Sequence, residues 1–331
     1  MSEFRQDIVT KEWVLIAPKR SGRPHEFPRE EATPSFLPEV LDTCPFCPGN
    51  EKDTPKELMQ SPDSAKWQVR VVPNKFGVLE LDHGKPQRNF YVRQPGTGSH
   101  EVVITRPHNL PTALQPVELI DLTLSAYIER IAELEKHEAV QYVHVVQNHG
   151  KLAGASIVHP HSQIFAMPFL GPHVAAELRG AQNYFHIFDN CIYDDILRHE
   201  LKNKTRIVAE TEKFVVFCPF ESKMPYQMRI MPKNQQARFD KIDASERKEL
   251  AIVLKDSLHR LYAKLGNPSY NFYIHTMPFT RSQNVSRDER AYRWHIVILP
   301  RINIWAGLEL GTEIYVNTVE PEHAAEYLRE K

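Results

Sequence analysis

The run Ser156-Ile157-Val158-His159-Pro160-His161-Ser162-Gln163 places reactive side chains two residues apart. A strand alternates its faces with period two, so His159, His161 and Gln163 are expected to point the same way. Three nitrogen-bearing side chains on one face make a poor apolar core and a good phosphate site. One imidazole can attack phosphorus, the amide can hold phosphoryl oxygens, and the other imidazole is free for a metal or a structural bond. Pro160 lacks an N–H, which puts it at a sheet edge or at the first residues of a strand. The plainer reading is three polar residues on a solvated strand face.

An imidazole that attacks a phosphoryl group forms a covalent intermediate and splits one hard displacement into two easier ones. The nucleophile must be neutral, with its tautomer set by a hydrogen bond at the other ring nitrogen. A third histidine at position 163 could supply an acid and assist water. Gln163 delivers no proton but can donate hydrogen bonds to phosphoryl oxygens as charge develops. The pattern therefore favours transfer to a second phosphate over hydrolysis.

The chain has four cysteines, of which Cys44 and Cys47 form a C-x-x-C. In a reducing compartment this favours a metal site over disulfides. With His108 and His159 the two thiols would satisfy the tetrahedral preference of structural zinc. His159 is then a ligand and His161, two residues on, the nucleophile. The alternative is a pair of buried thiols in a turn. The small-residue loop Gly150 to Ser156 leads into the histidine run, and its N–H groups and Ser156 could meet a diphosphate, with Asn148 just before it. Lys19, Arg20 and Arg23 offer phosphate or ribose contacts, although surface arginines commonly do nothing specific.

Two long helical patterns must frame this chemistry. One spans about 116–138, with Leu119, Ile120, Leu124, Tyr127, Ile128, Ile131 and Leu134 at helical spacing after Pro116. The other spans about 245–265, with Asp243 and Glu246 as a capping pair and Gly266 as a stop. Strand patterns flank both: 68–72, 77–81, 100–105, 142–147 and 164–167 around the first, then 206–208, 214–217, 227–231, 271–275 and 295–299 around the second. Strands, one helix, strands, then the same order again indicate an internal duplication. The expected fold class is α+β, with antiparallel sheets and one long helix per repeat. The expected division is residues 1–170, carrying the chemistry, and 171–331, a degenerate copy. Counting back from Pro168 and Pro300 sets His295 opposite Gln163 and Arg293 opposite His161. The second copy has therefore lost the two histidines.

With 331 residues and a formal net charge of −1, bulk electrostatic binding to nucleic acid or an anionic bilayer is not expected. No apolar stretch approaches the ~20 residues of a membrane span. The N-terminus lacks the basic-then-apolar order of a secretory signal, so the expected location is cytoplasmic. The proline-rich segment 20–48 reads as extended chain wrapped over a surface.

These residues resemble the galactose-1-phosphate uridylyltransferase family, a duplicated branch of the histidine-triad superfamily. The resemblance covers nearly the whole chain. It rests on Asp7 to Pro18, Cys44-Pro45-Phe46-Cys47, Val72-Pro73-Asn74-Lys75-Phe76, His100-Glu101-Val102, Pro107-His108, and Asn148 to Gln163. It implies tandem HIT-like repeats and a ping-pong reaction. His161 would take the uridylyl group from UDP-glucose and release glucose 1-phosphate, and galactose 1-phosphate would then collect it. Gln163 would bind the transferred phosphoryl group and Ser156 the sugar phosphate. Asn148, Asn74 and Phe76 would line the nucleotide, with Arg20 and Arg23 near phosphates or sugar across a homodimer. Cys44, Cys47, His108 and His159 match the family's zinc ligands.

Some members hold a second metal with a glutamate and three histidines. His275 and His295 match two of these, Val297 stands where another belongs, and the glutamate's place falls near Ala176 and Glu177, so one metal site is expected and a complete second one is not. Cys191-Ile192-Tyr193-Asp194 reads as the second repeat's relic of a C-x-x-C. In the hexose-binding segment Gly307, Thr312 and Val319 replace the family's residues while Glu313 remains. A related branch phosphorolyses ADP-glucose or dinucleoside polyphosphates with a similar histidine strand. A catalytically silent nucleotide-binding protein is a further reading.

Overall fold

The computed structural model describes residues 1–22, 37–62, 64–81, 87–279 and 289–330. Strands β1 (Glu3–Gln6) and β2 (Trp13–Ile16) form an N-terminal hairpin. In the first half, β3 (Met59–Ser61), β4 (Val69–Pro73), a small ribbon of β5 (Gln87–Arg88) and β6 (Val92–Arg93), and β7 (Ser99–Thr105) precede helix α1 (Val117–Leu134). Strands β8 (Tyr142–His149) and β9 (His161–Met167) follow it. Helices α2 (Pro172–Phe188) and α3 (Ile192–Asn203) lead into β10 (Ile207–Glu210), β11 (Phe214–Phe217) and β12 (Met228–Pro232). Helix α4 (Ala244–Leu265) then precedes β13 (Tyr270–His275) and β14 (His295–Pro300). A short helix Gly307–Thr312, strand β15 (Tyr315–Asn317) and a helix Pro321–Arg329 end the described chain.

Ten strands form one antiparallel sheet in the order β10-β11-β12-β14-β13-β8-β9-β7-β4-β3. Each half contributes five, and β8 pairs with β13 along Val145–His149 and Tyr270–Ile274. The strands of the two repeats share this one sheet, because joining β8 to β13 removes an exposed edge from each half. A second sheet sets β15 parallel to β2, so the two ends of the chain meet.

Helices α1 and α4 occupy equivalent places, each between the third and fourth large-sheet strands of its half. Leu119, Ile120, Leu124, Tyr127 and Ile131 of α1 join Leu250, Val253, Leu254, Leu258 and Leu261 of α4 in one core with Val103, Val145, Ile164, Ile230, Phe272 and Ile296 from the sheet. Asp243 caps α4 by accepting from the Ser245 and Glu246 amides, and Gly266 ends it in the left-handed region. The capping pair and the stop thus act as their residue types predict.

On the opposite face α2 and α3 cover the second half, with Ala181, Ile192, Tyr193 and Leu197 packed on Val215, Phe217 and Met231. Over the first half, among the described residues, the apolar cluster on that face is the smaller one of Trp67, Val72, Val102 and Ile104 with Phe46 against them. This thinner cover is where His161 and Gln163 emerge.

Three expectations change. Residues 77–81 form no strand beyond an isolated bridge from Glu80 to Thr97, because the chain turns at Asn74, whose carbonyl accepts the Gly77 N–H. Helices α2 and α3 were not anticipated between the repeats. Strand β9 begins at His161, so His159 lies in the irregular segment before it and need not share the face of His161 and Gln163.

Candidate active site and metal centre

Alternation along β9 sends Ser162, Ile164 and Ala166 toward α1 and leaves His161, Gln163 and Phe165 on the opposite face. Ser162 meets the Tyr127 hydroxyl of α1 in a short hydrogen bond, which ties the strand to the helix core. Pro160 stands immediately before the strand, and its carbonyl accepts both the N–H and the hydroxyl of Thr105. His161 is buried, and its Nδ1 lies 2.8 Å from the His159 carbonyl. A carbonyl only accepts, so the proton sits on Nδ1 and Nε2 keeps its lone pair. Burial also holds the His161 pKa below the usual histidine value. The ring is therefore neutral at neutral pH, as a nucleophile requires.

Cys44, Cys47, His108 and His159 are all buried, with their ligand atoms within 4.8 Å of one another. Nδ1 of His159 lies 3.7 Å from the Cys44 Sγ, 3.6 Å from the Cys47 Sγ and 3.2 Å from His108 Nδ1. On its other side His159 Nε2 donates to the Thr105 carbonyl at 2.6 Å, leaving Nδ1 bare toward the thiols. The Leu41 amide approaches the Cys47 sulfur at 3.2 Å. Such outer bonds orient metal ligands. Burial pushes the metal-free Cys44 thiol up to about 11 and His159 down to about 4. A cation among these atoms would remove the thiol proton and take up the bare imidazole nitrogen. The donor set can hold a metal ion. Phe46, between the two cysteines, sets its ring edgewise on His161 with centroids 5.2 Å apart, so the cysteine loop directly contacts that imidazole.

Gln163 meets His100 of β7, whose Nε2 lies 2.8 Å from the glutamine Oε1. Asn74 packs its amide nitrogen 3.0 Å from that same ring nitrogen and accepts the Phe76 amide through Oδ1. Asn74 is thus one side chain away from Gln163, and Phe76 projects outward, 83 % exposed. Asn148 accepts from Asn271 across the β8–β13 seam at 2.7 Å. A cleft of about 240 Å³ runs past Asn148, His149, Gly150, His159 and Pro160; His161 and Gln163 are not on its wall.

The loop after β8 differs from the expected phosphate cradle. Its Ala153, Gly154 and Ala155 amides donate to the Gly150 and Lys151 carbonyls, which leaves the exposed Ser156 rather than these three N–H groups for a ligand. Gly150 takes φ +81°, and a Cβ there would collide with Ser269, so this turn requires glycine. Arg20 lies exposed in the 3-10 turn Pro18–Gly22. Arg23 lies outside the described residues. Glu313 closes the helix Gly307–Thr312 in the left-handed region, and its amide donates to Glu309.

A second group, His173, Glu177 and His275, also has ligand atoms within 4.8 Å of one another. His275 Nδ1 is 2.8 Å and His295 Nε2 3.7 Å from the Glu177 carboxylate. His295 Nδ1 donates to the Arg293 carbonyl at 3.1 Å, which leaves Nε2 bare, buried and without a hydrogen-bond partner. The incomplete pattern at Val297 is thus made up by His173, one helical turn before Glu177 on α2. The sequence signal is an i, i+4 His/Glu pair, which acquires meaning only once residues 172–188 are helical. This group can hold a metal ion as well. Cys191 and Asp194 bind none of these atoms: Asp194 pairs with Arg293, whose guanidinium also donates to the Pro232 and Asn234 carbonyls. An ion pair occupies the relic.

A duplicated antiparallel fold with a neutral, tautomer-set imidazole beside a buried Cys2His2 cluster defines a nucleotidyltransferase. A family model described as a domain of unknown function (DUF4921) matches residues 80–331. An ADP-glucose phosphorylase of Arabidopsis thaliana is 33 % identical over 336 residues, 99 % of this chain and 92 % of that protein. A galactose-1-phosphate uridylyltransferase of Thermotoga maritima is 28 % identical over 100 % of this chain and 98 % of its own length. The crystal structure of the Arabidopsis ADP-glucose phosphorylase with bound ADP-glucose superposes with a TM-score of 0.85 at 31 % identity, over 100 % of this chain and 99 % of that one. The chain belongs to the galactose-1-phosphate uridylyltransferase family. Among the described residues no helix is long and apolar enough to cross a membrane.

Proposed function

We propose that this protein transfers a nucleotidyl group from a nucleotide sugar to a second phosphate through a covalent adduct on His161. The observation that carries the proposal is the Nδ1–H bond to the His159 carbonyl, which leaves Nε2 as a bare, neutral nucleophile. In the first half-reaction Nε2 attacks the α-phosphorus, the bond to the bridging oxygen breaks, and the sugar 1-phosphate leaves with its electrons. The His159 carbonyl then faces the N–H of a cationic nucleotidyl-imidazolium and stabilises it. In the second half-reaction a phosphate oxygen of the acceptor attacks the same phosphorus, and the P–N electrons return to Nε2. Gln163 donates its amide protons to the phosphoryl oxygens, which gain charge in both transition states.

Zinc is the metal that two thiolates and two imidazoles favour. Cys44, Cys47, His108 and His159 would hold it, where it supplies rigidity to the segment that leads into the nucleophile. Residues 1–170 carry the chemistry in this reading and 171–331 frame it. Ser156 serves the sugar phosphate; Asn74, Phe76, Asn148, Arg20 and Arg23 serve the nucleotide; Glu313 serves the hexose. The setting is a cytoplasmic homodimer, with the exposed Phe76, Phe90 and Tyr91 as surface for the second subunit.

As a uridylyltransferase the enzyme takes UDP-glucose and galactose 1-phosphate, in line with relatives that carry that name. A second reading, adenylyl transfer from ADP-glucose to inorganic phosphate, is favoured by the higher identity to the Arabidopsis phosphorylase. Intact-mass spectrometry after exposure to UDP-glucose alone, or ADP-glucose alone, separates them. One uridylyl mass with release of glucose 1-phosphate supports the first reading, and one adenylyl mass supports the second. No adduct with either donor, alongside measurable binding, would leave only a silent nucleotide-binding protein.

A further inference from the structure

The surroundings of His100 dictate which way Gln163 faces. The ring is buried and stacks on Phe165, its cross-strand neighbour on β9, with centroids 4.2 Å apart. The Asn74 amide nitrogen lies 3.4 Å from Nδ1 and 3.0 Å from Nε2, and each ring nitrogen has one further partner of its own. The Val78 backbone N–H lies 3.3 Å from Nδ1, and Gln163 Oε1 lies 2.8 Å from Nε2. A backbone N–H can only donate, so Nδ1 accepts, and a neutral imidazole then carries its proton on Nε2. Burial keeps the ring in that neutral state by lowering its pKa. Nε2–H therefore donates to Gln163 Oε1.

We propose that His100 is a positioning residue that holds the Gln163 carboxamide with its oxygen turned inward and its nitrogen toward the phosphoryl group on His161. The proposal rests on the nucleotidyl-transfer reading above. The relay runs Val78 N–H to His100 Nδ1, His100 Nε2–H to Gln163 Oε1, and Gln163 N–H to phosphoryl oxygen, with one donor and one acceptor at each step. Phosphoryl oxygens only accept. A reversed amide would present its own lone pairs to them and turn an attraction into a repulsion. In the rival arrangement Nε2 is bare and accepts from the Asn74 amide nitrogen, 3.0 Å away. That arrangement would put a proton on Nδ1 against the Val78 N–H, two donors face to face. In the first relay the Asn74 amide nitrogen, 3.4 Å from Nδ1, joins Val78 in donating to that bare nitrogen, so the geometry selects the first relay. Nothing in the glutamine itself chooses between its two orientations, so the choice comes from a strand more than sixty residues away in sequence.

The test has two arms. Nitrogen-15 spectra of the histidine-labelled protein, without substrate, report the His100 tautomer directly. Protonated Nε2 and bare Nδ1 are expected, and the opposite tautomer or a charged ring at neutral pH overturns the proposal. The second arm measures the single-turnover rate of adduct formation with UDP-glucose and with ADP-glucose. His100→Leu, which keeps bulk but donates nothing, should slow that rate by roughly 10- to 100-fold with donor affinity and metal content unchanged. His100→Gln, which restores a donor, should recover part of the loss. In a Gln163→Ala background His100→Leu should cost almost nothing further, since its target is gone. An equal loss in both backgrounds would show a merely structural role and overturn the proposal. Should His100→Leu fail to fold, His100→Gln and the tautomer measurement decide. Absence of any adduct in the wild-type protein strikes the nucleotidyl-transfer reading instead and leaves the tautomer arm standing.

Discussion

His161 and His159 are two residues apart and do opposite things with the same ring, and hydrogen bonds decide which. His159 gives its Nε2 proton to the Thr105 carbonyl and turns a bare Nδ1 to the thiols; His161 gives its Nδ1 proton to the His159 carbonyl and keeps Nε2 bare. His161→Ala should therefore abolish adduct formation in a mass spectrum while circular dichroism and metal content stay as in the wild type. Cys44→Ala acts on the other ring. It should lower metal content by one equivalent per chain and reduce the melting temperature, because ligand binding to the folded state alone adds to stability. Unchanged metal content in that variant, measured by elemental analysis, would refute the ligand assignment.

At the scale of elements, two helices and their shared core set the stiffness behind the reactive strand. Leu124 of α1 is buried among sheet and α4 side chains. Leu124→Ala should cost about 2–5 kcal/mol of unfolding free energy, read from denaturant titration, with the adduct chemistry of the surviving folded fraction intact. The end of α1 is tied to the segment before α4 by Arg238, which bridges Glu135 and Asp240. That guanidinium holds the Glu135 carboxyl below the usual carboxylate range. A depressed pKa adds stability above the unfolded-state value, near 4.3 for glutamate, and loses it as the pH falls through the lower folded value. The melting-temperature gap between wild type and Glu135→Gln should accordingly be full at neutral pH and close on acidification below that point. A gap that widened toward acid would contradict this account.

On the scale of the whole molecule, two repeats act as one body because a strand edge and a helix face of each are completed by the other. Strand β8 pairs with β13, and α1 shares its core with α4. Residues 1–170 expressed alone would expose both, together with a β2 edge that β15 covers. That fragment should self-associate or aggregate in light scattering, and a monomeric, cooperatively folding fragment would show the halves to be independent. The division of labour follows from the same symmetry. The first half keeps a Cys2His2 group beside His161, the proposed nucleophile, whereas the second has an Asp194–Arg293 pair and, separately, the His173, Glu177, His275 and His295 group.

Local rules and residue type were enough for much of this. The histidine-proline-histidine run, the C-x-x-C, the cap and stop of α4 and the repeated order of strands and helix are all short-range signals, set by alternation, by hydrogen-bonding capacity and by the absence of an N–H on proline. The resemblance to a known family rested on those same residues. Other features depend on atoms distant along the chain. His100 lies 63 residues from the glutamine it faces, and His173 lies 102 residues from His275 in a helix whose pattern was not read. The β8–β13 seam that joins the repeats, the internal use of the loop amides after Gly150, and the tautomer of each histidine came only from the tertiary structure. A tautomer is chosen by whichever donor or acceptor the fold brings to the ring's other nitrogen. Spacing along the sequence carries the identity of the ring but not that neighbour.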